Sequence, residues 1–326
     1  MIISRTPLRI SFVGGGSDVP NFYQKYGGAV ISTAIDKYIY VNVNKKFDRN
    51  IRVAYSKTEE VESVHEIEHR LVRASLKYLG IEGGIEITTI ADVPSKGTGL
   101  GSSSSFTVGL LHALNAYLGR YVSSEQLGAD SSYIEIEQCG EPIGKQDQYA
   151  AAFGGFNLIE FKQDDTVVVT PIICKRETVK RIEENILVLY TGITRSASRL
   201  LKQQSQEIGN HTPKQNILRR MVELAYVLRD ELRKNNTDAF GEILHENWML
   251  KRGITDGIST TKIDEWYESG RRAGAMGGKI LGAGAGGFLM FYAPQEVHAN
   301  IKAALQMLRP IPIQFERLGS RIIFYH

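Results

Sequence analysis

Apolar and polar residues alternate in the first segment of the chain. Apolar residues occupy every second position from 8 to 12, so a strand would direct Arg9 and Ser11 to the opposite face. The segment runs directly into a glycine-rich turn at 14–18, and the β-formers of residues 38–43 predict a second strand. The pattern therefore predicts a strand, a glycine turn and a strand. Arg9 faces the side where the turn opens, although an arginine on a strand is most often simply solvated.

Helical spacing of apolar residues predicts most of the remaining elements. Residues 61–80 fit one amphipathic helix, and Ser123 or Ser124 fits the N-cap of a helix that reaches about Cys139. The other predicted elements are a hairpin of strands 157–161 and 166–171, a strand 186–190, helices from 212, over 237–251 and over 260–276, a helix 297–308, and strands 311–315 and 321–325.

The composition is that of an ordinary globular protein. The chain has 326 residues, a net charge of +3 and no long basic run, so we expect two domains and no nucleic-acid partner. The N-terminus lacks the apolar core of a signal peptide, and no run of about eighteen apolar residues occurs. We therefore expect a cytoplasmic protein with no membrane partner.

Few residues have the spacing of metal ligands. Cys139 and Cys174 are the two cysteines, and each is isolated, which gives no reason to expect a zinc site or a disulfide. His65 and His69 lie four residues apart on the helix predicted over 61–80 and could together bind a metal. A solvated helix face is the more common explanation, because no third ligand is in sight.

The segment 94–105 joins a strand-like segment, 85–93, to a helix that ends at Gly119. Three glycines let an anion approach the backbone, and the serines both cap a helix and present hydroxyls. The start of the helix adds unpaired N–H groups and the positive end of its dipole. The segment lacks the Gly-Lys-Ser/Thr of a Walker A phosphate-binding loop. A phosphate would therefore be bound by backbone N–H groups, the helix dipole and serine hydroxyls. The alternative is a flexible glycine-serine connection.

Two further segments are candidates for chemistry. Phosphoryl transfer to an alcohol needs a group that aligns the hydroxyl and accepts its proton, and the carboxylate of Asp147 lies in a Gly/Pro turn before a small-residue helix. By spacing alone, Asp147 could equally be an N-cap. The segment 282–287 contains Gly-x-Gly-x-x-Gly, but a strand follows it instead of a helix, so a dinucleotide-binding reading fails. A plain hairpin or bulge is the alternative there.

Three of these segments together resemble the motifs of the GHMP kinases, in that family's order. They are Thr6–Asp18, Pro94–Ser105 and Lys279–Tyr292. The resemblance implies an α+β, two-domain GHMP kinase fold with a ribosomal-protein-S5-domain-2-like N-terminal domain and a ferredoxin-like C-terminal domain. We place the N-terminal, ATP-binding domain at 1–180 and the C-terminal domain at 181–326. ATP and Mg²⁺ are the implied cofactors.

The resemblance also implies roles for single residues. By this resemblance, Asp147 is the catalytic base, Arg9 lies near the transferred phosphoryl group, and Asp18 binds the hydroxyl groups of the sugar. Glu135 would hold Mg²⁺ together with Ser103, and Glu137 is the alternative ligand. The implied ATP-binding residues are Lys96, Gly97, Gly99, Leu100, Gly101, Ser102, Ser103 and Ser104. The implied substrate-binding residues are Gly15, Gly16, Ser17, Asp18, Lys145, Gln146, Arg195, Gly284 and Ala285.

The glycine turn also bears on the substrate. Galactokinases have a Glu-His pair where this chain has Gly15 and Gly16, so the pocket is wider and less negative, and galactose is not expected. The chain resembles the family members that phosphorylate the anomeric hydroxyl of D-glycero-D-manno-heptose 7-phosphate. Arg195 and Lys145 are candidates for binding the phosphate of that sugar. The alternatives are an L-fucose kinase-like enzyme and a non-catalytic sugar sensor, and a homo-oligomer is left open.

Overall fold

The structure is a computed structural model that describes residues 1–94, 97, 99–193, 200, 201, 203, 207 and 212–326. The strands are β1 (Ile2–Val13), β2 (Gly28–Lys45), β3 (Ile51–Ala54), β4 (Thr58–Val61), β5 (Ile85–Ala91), β6 (Phe156–Phe161), β7 (Val167–Pro171), β8 (Ile186–Tyr190), β9 (Gly277–Ile280), β10 (Phe288–Tyr292), β11 (Arg309–Ile311), β12 (Phe315–Glu316) and β13 (Arg321–Tyr325). The helices are α1 (Pro20–Tyr26), α2 (Arg70–Leu79), α3 (Ser102–Tyr117), α4 (Ser124–Ser132), α5 (Gln146–Phe153), α6 (Arg176–Glu184), α7 (Thr212–Arg233), α8 (Phe240–Arg252), α9 (Thr261–Arg272) and α10 (His298–Ala304).

The first and larger sheet is built around the long strand β2. It pairs with β1 along one side, and on its other side with β6 over its first half and β5 over its second half. The alternation predicted for β1 is confirmed on its apolar face, which is fully buried. The opposite face is buried as well, since Ser11 is 5% exposed. Arg9 is only 3% exposed, so the solvated alternative for this arginine is wrong.

The second sheet has the strand order β11-β8-β10-β9, with every neighbouring pair antiparallel. Its strands, numbered along the chain, lie in the order 4-1-3-2, which is the ferredoxin-like arrangement expected for the C-terminal part. Helices α7, α8 and α9 lie between β8 and β9 in the chain, and α10 lies between β10 and β11. The inserted helix α8 is the element that reaches the functional site.

The two sheets share a continuous apolar core. Phe240 of α8 lies with its ring centroid 5.3 Å from that of Phe12 in β1 and 4.6 Å from that of Tyr292 in β10. A buried lysine also crosses this junction: Lys279 Nζ of β9 donates to the backbone carbonyls of Ser11 and Phe12, at 2.8 Å and 3.0 Å. These contacts hold the end of β1, and hence the glycine turn, against the second sheet.

The predicted helix 61–80 is correct only in its second half. Residues 58–61 form β4, Val64–Glu66 form a 3₁₀ turn, and the α-helix begins at Arg70. The start of α2 is fixed by its N-cap, His69, whose ring nitrogen accepts the backbone N–H of Val72, and the Glu59 carboxylate holds the residues before the helix by accepting the N–H groups of Glu68 and His69. The described residues contain no group of three or more His, Cys, Asp or Glu side chains that could hold a metal ion, so the metal-binding alternative for His65 and His69 gains no support there.

The chain ends on the first sheet. Strand β12 pairs with β2, and β13 pairs with β1. The strand predicted over 311–315 is therefore two short strands, one in each sheet, while the strand 321–325 is confirmed. The domain boundary near residue 180 stays a prediction. Each helix in the described ranges is too short or too polar to cross a lipid bilayer.

Candidate active site

The glycine turn after β1 forms one wall of a cleft between the two sheets. Gly14 N–H donates to Asn247 Oδ1 of α8 at 3.0 Å, which fixes the turn against that helix. Asp18, at the end of the turn, is 3% exposed and accepts the N–H groups of Gly16 at 3.1 Å and Gln146 at 3.2 Å. Gly144 is needed beside it, since a Cβ there would lie 2.0 Å from Asp18 Oδ2.

An arginine–aspartate pair lies at the centre of the cleft. Arg9 Nε donates to Asp147 Oδ1 at 2.7 Å, and Arg9 Nη2 donates to Asp147 Oδ2 at 2.6 Å. This bidentate geometry fixes both side chains and leaves the 23% exposed Asp147 carboxylate facing the cleft. The two residues are 138 positions apart, and the structure brings them together as the sequence motifs predict.

The glycine-serine segment ends at the N-terminus of α3. Gly101 occupies the capping position with φ of 76°, and no side chain caps the helix. The positive end of α3 therefore faces the cleft without a side-chain cap. Arg9 Nη1 donates to the Gly99 carbonyl at 2.7 Å, which ties this segment to the arginine–aspartate pair.

The glycine segment 282–287 contacts the glycine-serine segment before α3 through backbone atoms. Gly99 has φ of +76° and Gly282 has φ of +74°, and a Cβ on Gly282 would lie 2.4 Å from the Cα of Gly99. Only glycine fits both the conformation and the contact. The two glycine segments thus form one continuous wall, and residues Gly282 and Ala283 line the cleft.

Substituting Gly282 by alanine tests this contact. We expect Gly282→Ala to lower the free energy of unfolding by about 3 kcal/mol, from left-handed backbone strain plus the clash. We also expect kcat/KM to fall about 10²-fold, because displacement of a cleft wall by about 1 Å misaligns the reacting groups. Denaturant unfolding and steady-state kinetics measure the two effects.

Gly119 provides a matched control for this prediction. It has φ of +70°, but a Cβ there would meet nothing within 4 Å. Gly119→Ala carries the backbone strain alone, so we expect a loss of about 1 kcal/mol and unchanged kinetics. Equal effects of the two substitutions would contradict the proposed role of the Gly99–Gly282 contact.

Glu135 is a fully buried carboxylate directly beneath the start of α3. The helix that begins at Ser124 widens into a π-helical turn over Tyr133–Gln138, a distortion often found at functional sites, and Glu135 lies in that turn. Ser103 Oγ donates to Glu135 Oε1 at 2.8 Å, and Ser104 Oγ donates to Oε2 at 2.7 Å. Burial raises the pKa of Glu135, and no cationic side chain of the described residues forms an ion pair with it. Glu137 is exposed, so the geometry favours Glu135 as the metal ligand.

A second, more open cleft adjoins the start of α3. Aromatic rings form part of its wall, with centroid separations of 4.7 Å for Tyr55 and His69 and 5.1 Å for His69 and Phe106. A planar base fits such a mixed aromatic and apolar cleft. No sequence motif predicted this cleft, which is lined by Ile39, Tyr55, Ser56, Glu68, His69, Arg70, Leu71, Thr89, Ala91, Val93, Ser102, Ser103 and Phe106.

Lys251 is a cleft residue that the sequence reasoning missed. It projects from α8 into the cleft that Arg9, Asp18 and Asp147 also line, and it is 5% exposed. Burial lowers its pKa to about 8. The available signal was its position on the mostly apolar buried face of α8, one helical turn after the polar Asn247.

Several predicted substrate contacts lie elsewhere. Ser17 Oγ is buried and bonds to the backbone of Ala29, and Lys145 Nζ pairs with Asp165 Oδ1 at 2.8 Å. Gly284 and Ala285 pack against the backbone of Ile258, and the cleft is lined instead by the two residues that precede them. These four contacts are therefore corrected on geometric grounds. Lys96 and Arg195 lie outside the described residues.

Most of the remaining predicted residues lie close to the arginine–aspartate pair. The glycine turn, Gln146 and the glycine-serine segment surround the arginine–aspartate pair. The residues brought together around this pair are Gly15, Gly16, Asp18, Gln146, Gly99, Leu100 and Gly101.

Comparisons with known proteins agree with this arrangement. The family description "GHMP kinases N terminal domain" matches residues 64–155, and "GHMP kinases C terminal" matches residues 228–306. A D-glycero-alpha-D-manno-heptose 7-phosphate kinase from Campylobacter jejuni is 29% identical, with 94% of this chain and 93% of that protein covered. The crystal structure of a D-glycero-D-manno-heptose 1-phosphate kinase from Bacteroides thetaiotaomicron is 27% identical, has a TM-score of 0.82 and covers 100% of both chains.

A more distant relative is the bifunctional fucokinase/GDP-fucose pyrophosphorylase of Arabidopsis thaliana. It is 26% identical, and the alignment covers 88% of this chain but 29% of that protein. The three motifs, the cleft that they form and the matches to both halves of the fold lead to one conclusion. The chain belongs to the GHMP kinase family.

Proposed function

We propose that this chain is an ATP-dependent sugar kinase. It transfers the γ-phosphoryl group of ATP to the anomeric hydroxyl of D-glycero-D-manno-heptose 7-phosphate, and the 1,7-bisphosphate enters the synthesis of nucleotide-activated heptose. The observation that carries the proposal is the Arg9–Asp147 pair, held between the glycine-serine segment on one side and the Asp18 carboxylate on the other. The Campylobacter and Bacteroides relatives are both named for phosphorylated manno-heptoses, which supports a sugar of this class.

ATP binds along the glycine-serine segment in this proposal. Its phosphates lie against residues 97–104, where left-handed glycines allow close approach and the N-terminus of α3 favours negative charge. Its base occupies the adjoining cleft beside Tyr55 and Phe106. The reaction consumes ATP, and we place it in the cytoplasm.

Mg²⁺ is the metal that fits the Glu135 site. The donors there are carboxylate and hydroxyl oxygens, which suit a hard cation, and the buried Glu135 charge has no cationic side chain paired with it among the described residues. Glu135 and Ser103 would hold the ion, which neutralises charge on the ATP phosphates when bound.

The acceptor sugar binds between Asp18 and Asp147. Asp18 and Gln146 hold ring hydroxyls, while Asp147 orients the anomeric hydroxyl and takes its proton as the new bond to phosphorus forms. Arg9 has a third N–H group on Gly99 O and so links the acceptor side of the cleft to the phosphate segment. Its positive charge offsets negative charge that develops on the transferring group.

Two alternatives remain useful as comparisons. An L-fucose kinase-like enzyme has support from the Arabidopsis relative, and it would keep the catalytic pair but need no cation for a substrate phosphate. A sugar sensor of the same fold would have no need for the bidentate Arg9–Asp147 pair and the buried Glu135 together. Their joint presence favours a kinase.

A substrate panel tests the proposal. ADP release is measured with Mg-ATP and each of heptose 7-phosphate, mannose 6-phosphate, unphosphorylated mannoheptose, L-fucose and mevalonate, which represents another branch of the family. We expect the highest kcat/KM with heptose 7-phosphate. A preference for L-fucose or mevalonate would contradict the assigned substrate, and silence with all five would contradict the kinase assignment.

A further inference from the structure

The missing side chain of Gly15 leaves a gap bordered by polar groups. A Cβ at Gly15 would lie 3.6 Å from Ser11 Oγ and 3.8 Å from both Gln146 Nε2 and Lys251 Nζ. Ser11 and Lys251 are each 5% exposed, so this border is a buried polar surface. Three separate elements, β1, α5 and α8, converge on the gap.

Hydrogen-bonding groups at the gap lack partners. Ser11 Oγ and Gln146 Oε1 are buried and accept or donate no hydrogen bond among the described residues. Lys251 Nζ donates to the Gly282 carbonyl at 2.7 Å, which is its one hydrogen bond within the described ranges. An ammonium carries three donors, so two donors of Lys251 are left for a ligand in the cleft. The unpaired Ser11 hydroxyl, the remaining donors of Lys251 and the Nε2 donor of Gln146 therefore fit a ligand that brings negative charge and hydrogen-bond acceptors.

The position of Lys251 favours the sugar side of the cleft. Lys251 Nζ and Gln146 Nε2 each lie 3.8 Å from the position of a Cβ at Gly15, and the backbone N–H of Gln146 donates to Asp18 at 3.2 Å. Asp18 is the proposed partner of the sugar hydroxyls, whereas Asp147 lies at the reacting hydroxyl. The phosphoryl group in transfer already faces the Arg9 guanidinium, which lies next to Asp147.

We propose that Lys251, together with Ser11 and the side-chain amide of Gln146, binds the phosphate group that the sugar substrate already carries. This inference rests on the proposed function, since it assumes that the substrate is a sugar phosphate. It assigns to Lys251 the cation for which Lys145 is unsuited, because Lys145 is paired with Asp165. Gly15 is then a specificity residue, because any longer side chain there would occupy the phosphate position.

Lys251→Met tests the inference by removing the charge while keeping an unbranched side chain. We expect kcat/KM for heptose 7-phosphate to fall about 10²-fold, mainly through a higher KM, as a charged hydrogen-bonding partner is lost. We expect kcat/KM for unphosphorylated mannoheptose to change less than about threefold, because that sugar presents no phosphate. Lys302→Met, an exposed lysine on α10, is the control and should leave both values unchanged.

Gly15→Glu is an independent variant that does not depend on Lys251→Met folding. A Cβ at Gly15 meets only ordinary contact distances, and the glutamate carboxylate can pair with Lys251. We expect it to lower kcat/KM for heptose 7-phosphate more than for unphosphorylated mannoheptose. Melting temperature and the Kd for Mg-ATP are measured alongside to show that the fold and the nucleotide site persist.

The outcomes separate this inference from the proposed function. If both variants keep the wild-type preference for the phosphorylated sugar, the phosphate-binding role is wrong and the kinase assignment stands. If Lys251→Met lowers kcat equally for both sugars, Lys251 acts on the transferring phosphoryl group, which also overturns the inference. If the wild-type protein itself does not turn over a sugar phosphate, the proposed function fails.

Discussion

Asp147→Asn is expected to lower kcat with heptose 7-phosphate about 10³-fold, within the usual contribution of a positioned acid–base group. The asparagine keeps the size of the side chain but cannot accept the proton of the acceptor hydroxyl. Its amide also presents N–H groups to one arm of Arg9, where a 2.6 Å or 2.7 Å hydrogen bond now exists. The Kd for Mg-ATP, measured by calorimetry, should change less than about threefold, because nucleotide contacts lie on the other side of Arg9.

Glu86→Gln is a matched control for this substitution. Glu86 accepts a hydrogen bond from Arg52 at 2.6 Å on β5, outside the cleft, so the control removes an equally close arginine–carboxylate pair. We expect it to leave kcat unchanged. If Asp147→Asn retained kcat within tenfold of the wild-type value, the base assignment would be wrong.

Arg9→Met shows whether Asp147 accepts a proton or only holds Arg9 in place. If Asp147 acts only by holding Arg9, Asp147→Asn and Arg9→Met should lose the same activity, and the double variant should lose no more. If Asp147 also takes the proton, the double variant should be slower than Arg9→Met alone. The comparison uses single-turnover rates at saturating Mg-ATP.

Glu135→Gln is expected to lower kcat/KM about 10²-fold at fixed Mg²⁺, since even indirect disturbance of a metal site has effects approaching this size. Saturating Mg²⁺ should restore part of the loss. The neighbouring Glu137→Gln is the control, because Glu137 is exposed and two residues away. Loss of activity in Glu137→Gln with normal activity in Glu135→Gln would reverse the ligand assignment.

Glu135→Gln should not destabilise the protein in the absence of ligands. Burial raises the pKa of Glu135 above its ordinary value of 4.5, so folding favours the protonated carboxyl group. The contribution of the protonated Glu135 carboxyl group to the free energy of unfolding is fully present below pH 4.5. That contribution is lost as the pH rises through the raised pKa of Glu135. Glutamine stays neutral, so the melting temperature of Glu135→Gln should rise relative to the wild type as the pH increases. A lower melting temperature at neutral pH would mean that the carboxylate stabilises the fold.

The sequence predicted those parts of the site that lie in local motifs. Arg9 and Asp147 are far apart in the chain, yet each lies in a recognisable segment, and the structure joins them. Glu135 could be separated from Glu137 only in three dimensions, because the π-helical turn decides which carboxylate faces Ser103. Local sequence patterns thus predicted which types of residue form the site, but not which of two nearby carboxylates faces the serines.

Other residues depended on tertiary packing that the sequence does not display. Lys251 lies among apolar residues on α8, and only the packing of that helix against the glycine turn places its ammonium in the cleft. The sequence predicts an anion-binding role for Lys145, whereas in the fold Lys145 is paired with Asp165. The helix predicted over 61–80 was too long because periodicity does not reveal that His69 is the N-cap and that Glu59 holds the residues before it.

Phosphorus-31 NMR of the wild-type reaction is the most direct test of the central claim, which is phosphoryl transfer to the anomeric oxygen. Heptose 7-phosphate and Mg-ATP are followed until ADP accumulates. We predict one new phosphate resonance, coupled to the anomeric proton and equal in amount to the ADP formed, with the 7-phosphate resonance retained. ADP accompanied only by inorganic phosphate, or a new phosphate on any other oxygen, would contradict the account.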